Sequence, residues 1–83
     1  MGDGQELSRH DVRMRLKAEV AASVLAAMDR GWTVRVQGHG VRLYCPCGQH
    51  GGLSVAGTPA SPSNEARRIR RFVARVCWPD DPA

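Results

Sequence analysis

Two short runs of alternating polarity, Trp32–Gln37 and Val41–Cys45, stand on either side of Gly38-His39-Gly40, and no other stretch restricts the fold so tightly. In the first run Trp32, Val34 and Val36 fall on one side and Thr33, Arg35 and Gln37 on the other. In the second, Val41, Leu43 and Cys45 oppose Arg42 and Tyr44. Period-two alternation marks a strand with one buried face. A slip of one residue would turn every side chain to the other face, so an inward residue must meet an inward one across the hairpin. That parity pairs Val36 with Val41, Val34 with Leu43 and Trp32 with Cys45, and it places Arg35 directly opposite Arg42. It leaves Gly38-His39 as a two-residue turn with glycine first, as type II′ prefers; a four-residue loop has the same parity. Leu53–Ala56 is a shorter third strand, with Leu53 and Val55 inward and Ser54 outward.

The flanking segments change period. Ser8-Arg9-His10-Asp11 fits a capping box with Asp in place of Glu, and Leu7 with Val12 fits the hydrophobic staple around it. Val12, Leu16, Val20, Val24 and Met28 then recur at helical spacing, with Ala21 and Leu25 beside them, up to Gly31 at a C′ position. This predicts one helix over residues 9–30. Pro46–Gly52 is a turn region, and the loop from Thr58 to Asn64 offers Ser61 as N-cap with Pro62 at the first helical position. Ala66, Ile69, Val73, Val76 and Cys77 form the apolar face of a second helix, which stops before Trp78-Pro79. The expected architecture is α+β, in the order α-β-β-β-α. It has two layers, a three-stranded antiparallel sheet and both helices on one face, with the other face open to water. The expected domain covers residues 8–78, between a flexible tail at 1–7 and an acidic tail at 79–83. No internal repeat or low-complexity segment is present.

Eighty-three residues make one small domain, burying only about 60 per cent of the surface exposed when unfolded. That leaves no room for a deep cavity holding a large cofactor, and none is expected. The longest apolar stretch, Val20–Met28, is interrupted by Ser23, so no membrane span is expected. The polar first residues carry no segment of signal-peptide type. Three cysteines, an odd number, then point to reduced thiols and a cytoplasmic location. Twelve Lys and Arg against eight Asp and Glu give a net charge of +4, and eleven of those cations are arginine. Guanidinium suits bidentate phosphate contacts, although a GC-rich genome raises arginine as well.

Four groups of residues carry possible chemistry. On the open sheet face Arg35 and Arg42 oppose each other, a small cost that a bound phosphate would turn into a charge-assisted clamp, and Tyr44 beside them would stack a base. The alternative is two arginines splayed into solvent. His39, between two glycines at the hairpin tip, is the right group to take a proton from a ribose 2′-hydroxyl, or else a solvated turn residue. His10 and His50 have less to recommend them. The second helix holds five arginines against Glu65, and Arg67, Arg71 and Arg75 follow at i, i+4. Such a stripe is a solvated face, a surface for an acidic partner, or a nucleic-acid contact. Cys45, Cys47, His50 and Cys77 suggest zinc only weakly, because C-x-C is tighter than the usual knuckle and no second pair follows; no metal is expected.

The segments Gly31-Trp32, Gly38-His39-Gly40, Val55-Ala56-Gly57-Thr58-Pro59 and Ala66-Arg67-Arg68-Ile69-Arg70-Arg71, in this order of elements, resemble the HicA family. These are small bacterial toxins that cleave messenger RNA, with a fold like the double-stranded-RNA-binding domain. The resemblance covers about residues 10–77. It places the family's Gly-Trp on Gly31-Trp32 and its catalytic hairpin histidine on His39, with Gly38-His39 where the family usually has Gly-Ser-His and Gly40 where a second histidine often stands. The Cys-Pro-Cys-Gly turn and the arginine-heavy last helix lie outside the family pattern. The resemblance implies an RNA substrate, metal-independent cleavage and an antitoxin protein encoded next door. Two other readings of the residues stand beside it: an RNA-binding module without catalysis, in which Arg35, Arg42, Tyr44, Arg67 and Arg71 hold phosphates or bases, and an interaction domain for an acidic protein.

Overall fold

The hairpin forms in the register that parity demands. In the computed structural model, which describes residues 5–46 and 52–76, β1 (Thr33–Gln37) and β2 (Gly40–Tyr44) are antiparallel, with Val34 opposite Leu43, Arg35 opposite Arg42 and Val36 opposite Val41. Gly38 has φ +56° and, among the described residues, none other than glycine has positive φ, so only the first turn residue is left-handed, the type II′ pattern. Gly40 must be glycine for a different reason: a Cβ there would collide with the Val55 carbonyl oxygen on β3 (Leu53–Val55). β3 pairs with β2, Arg42 facing Ser54, and the sheet order is β1-β2-β3.

The first helical stretch departs from expectation. It is two helices, α1 (Arg9–Arg15) and α2 (Ala18–Asp29), separated by Leu16 and Lys17 in extended conformation. Residues four apart on an α-helix are offset by about 40°. A row running from Val12 to Met28 on one straight helix would therefore wind nearly half a turn and could not face one core. The break re-aims it, and Val12, Leu16, Val20 and Val24 are all buried. The caps are those the residues indicate. Ser8 and Asp11 complete the capping box, and α2 ends in a Schellman motif, with Gly31 N–H donating to Met28 and Trp32 N–H to Ala27. The last helix, α3 (Pro62–Val76), starts after Ser61, whose Oγ accepts from Asn64 N–H at 3.5 Å.

Both sheet edges are covered. Gln5–Leu7, expected as tail, lie along β1: Leu7 N–H donates to Val34 at 2.8 Å and Gln5 accepts from Val36 at 3.1 Å, with Glu6 opposite Arg35. On the other side Arg68 donates to the Ser54 carbonyl at 2.8 Å, and Glu65 accepts from Ala56 N–H at 3.4 Å. An ion pair thus takes up backbone groups that an edge strand would otherwise leave open to pairing. One apolar cluster lies between sheet and helices, from Val34, Val41, Leu43, Leu53 and Val55 on the strands to Val24 and Ile69 on the helices. Among the described residues no helix is long and apolar enough to cross a membrane.

Candidate functional site

The strand pattern brings Arg35, Arg42 and Tyr44 to one surface, the face of the sheet turned away from the helices. Directly opposite residues share a face, so the bridges align Glu6, Arg35, Arg42 and Ser54 in one row across it. Arg42 donates to Ser54 Oγ at 2.7 Å and lies 5.8 Å from the centre of the Tyr44 ring. That distance suits a cation–π contact. Arg35, Arg42 and Tyr44 are all half-buried. Glu6 was not foreseen as part of this row. Nothing local in the sequence marks it, because Gln5 and Glu6 are both exposed and only Leu7 is buried ahead of the first cap.

His39 is exposed at the hairpin tip and lines a concave site of about 480 Å³ with Gln37, Ser54, Thr58, Glu65 and Arg68. The turn that carries it is held from outside the sheet. Arg15 on α1 donates to the Gly38 carbonyl at 3.0 Å and to the Gly40 carbonyl at 3.4 Å, clasping the backbone on both sides of His39. Nothing in the sequence singles out Arg15, because its partners lie more than twenty residues away. On the far wall the Arg68–Glu65 pair closes at 2.7 Å. The Arg68 guanidinium holds the Glu65 carboxyl below the usual carboxylate range, and Glu65 in turn raises Arg68. Ser54 joins the two surfaces, since it lines the His39 concavity and its Oγ bonds Arg42.

Arg67 and Arg71 belong elsewhere. With Arg75 they line a second groove between α3 and β3, floored by Leu53, Phe72 and Val76, which shares Arg68 with the His39 concavity. The structure therefore joins three of the five expected RNA contacts on the sheet and separates the other two. Comparison with protein-family models, curated proteins and solved structures finds no match. Of the sulfur and imidazole ligands considered for zinc, Cys45 is buried in the core. Cys47, His50 and Cys77 lie outside the described residues.

The combined arrangement offers an exposed imidazole, two guanidiniums held to Ser54 (Arg42 at its Oγ and Arg68 at its carbonyl), and an aromatic ring on an adjoining flat face. Such a set suits a phosphodiester: a base for a hydroxyl proton, cations for the phosphoryl oxygens and a ring face for a nucleobase.

Proposed function

We propose that this protein binds RNA across the outer face of the sheet and cleaves it at the His39 concavity, acting as the toxin of a toxin–antitoxin pair. The observation that carries the reading is the shared concavity, in which exposed His39 and Arg68 meet Ser54, the partner of Arg42. The resemblance of the Gly38-His39 hairpin to that of the HicA toxins supports it.

In this reading the His39 imidazole takes the proton of a ribose 2′-hydroxyl. The oxygen attacks the adjacent phosphorus, the bond to the 5′-oxygen breaks, and the leaving oxygen takes a proton from water. The products are a 2′,3′-cyclic phosphate and a 5′-hydroxyl. Arg42 and Arg68 stabilise the charge growing on the phosphoryl oxygens. DNA, lacking the 2′-hydroxyl, is not a substrate. Arg15 acts through the turn as a positioning residue. An antitoxin that covers the concavity would silence the activity.

The test is a labelled structured RNA incubated in excess EDTA with wild type, His39→Ala and Arg42→Ala. Wild type is expected to leave cyclic-phosphate ends, His39→Ala to bind without cutting, and Arg42→Ala to bind more weakly. Binding should fall with salt at a log–log slope of about −0.7 per contacted phosphate of a single strand. Equal cutting by wild type and His39→Ala removes His39 from the chemistry. Binding by both without cutting leaves an RNA-binding module.

A further inference from the structure

α3 carries five arginines, and the structure divides them by what they hold. Arg68 is paired with Glu65 and the β3 edge, and Arg70 donates to Ser23 Oγ at 3.2 Å. Arg67, Arg71 and Arg75 are exposed, and none of the three meets a carboxylate among the described residues. They stand on one stripe, successive members about 6 Å apart along the helix axis. The stripe walls a groove of about 570 Å³ whose floor is Leu53, Phe72 and Val76. Phe72 packs edge-on against buried Trp32, ring centres 5.9 Å apart. The floor is thus a held apolar surface and not a ring free to swing onto a base.

We infer that this groove is a docking surface for an acidic, amphipathic segment of a partner protein, one that sets carboxylates against Arg67, Arg71 and Arg75 and an apolar stripe on Phe72 and Val76. The occupant is chosen by the combination. A phosphodiester backbone would satisfy the cations but leave the apolar floor unused. An apolar peptide would cover the floor but leave three like charges uncompensated. A segment with Glu at i, i+4 and i+8 and Leu on the neighbouring stripe answers both, because helical carboxylates repeat at the spacing of the guanidiniums. The groove meets the His39 concavity at Arg68, which lines both, but it includes none of Arg35, Arg42 and Tyr44, so the inference stands whether or not the protein cleaves RNA.

The test uses the full chain and two fluorescent peptides, an amphipathic helix with Glu at i, i+4 and i+8 and leucines on the adjoining stripe, and the same sequence with Lys for Glu. Fluorescence anisotropy should show saturable binding of the Glu peptide and at least tenfold weaker binding of the Lys peptide. Arg71→Glu should weaken the Glu peptide tenfold or more, with Arg71→Gln intermediate, while Arg42→Ala leaves it unchanged. Failure of wild type to prefer the Glu peptide overturns the proposal. Loss of Glu-peptide binding in Arg42→Ala with binding retained in Arg71→Glu would also overturn it, by placing the peptide on the sheet face. So would binding that requires Asp80→Asn/Asp81→Asn, by showing that the chain's own C-terminal acids take the groove.

Discussion

The two arginine surfaces of this protein handle like charge in opposite ways. On the sheet, Arg35 and Arg42 are fixed across from each other by backbone pairing, and the row has Glu6 at one end and Ser54 at the other, with Tyr44 near Arg42. On α3, Arg67, Arg71 and Arg75 stand one turn apart with no carboxylate beside them among the described residues. The difference follows from geometry. Cross-strand neighbours sit about 5 Å apart at Cβ and point the same way, so a like pair needs neighbours that offset it. Helical side chains splay outward into water, where repulsion at i, i+4 is a few tenths of a kcal/mol. Partnered arginines therefore build the fold, and unpartnered ones leave a positive surface for something else to meet.

The largest test of that division is to remove what both surfaces rest on. Leu43→Ala, at a fully buried position beneath the sheet, should cost about 2–5 kcal/mol in urea denaturation. It should degrade both surfaces together; loss of one alone would mean that the layers unfold separately. Next, Arg68→Ala should cost about 1 kcal/mol through the lost Glu65 and Ser54 contacts, whereas Arg71→Ala should fall within about 0.5 kcal/mol of wild type. Equal losses would erase the distinction between arginines that hold the fold and arginines that do not.

Smaller still, Glu6→Lys would put three cations in one cross-sheet row and should destabilise by about 0.2–1 kcal/mol, less at high salt. Insensitivity to salt would show that Glu6 does not offset the row. The finest discrimination is by pH. The Glu65 carboxyl titrates below its unfolded value because of Arg68, so its contribution is fully present above an unfolded pKa of about 4.3 and is lost as pH falls through the lower folded value. The melting temperature of wild type should drop more steeply below pH 4 than that of Glu65→Gln. Asp11, lowered by its hydrogen bonds with Ser8, titrates in both proteins and cancels in the difference. Parallel curves would show that the β3 edge does not depend on the ion pair.

Much of this was legible in the chain. The opposition of Arg35 and Arg42 followed from strand parity, the Gly38-His39 turn from its glycine, and the start of α3 from Ser61 and Pro62. These are short-range effects: strand period, turn dihedrals and cap hydrogen bonds involve residues within a few positions of each other, so their reasons are written locally. Four features were decided only when the layers packed. Leu16 and Lys17 interrupt the helix because a continuous row would wind away from the core. Gln5–Leu7 lie on β1 because the sheet has an edge there, and Arg15 clasps the His39 turn from more than twenty residues away. Above all, the sequence counts eleven arginines but cannot sort them, because a guanidinium's partner is set by which distant backbone carbonyl or carboxylate the fold carries within reach of it.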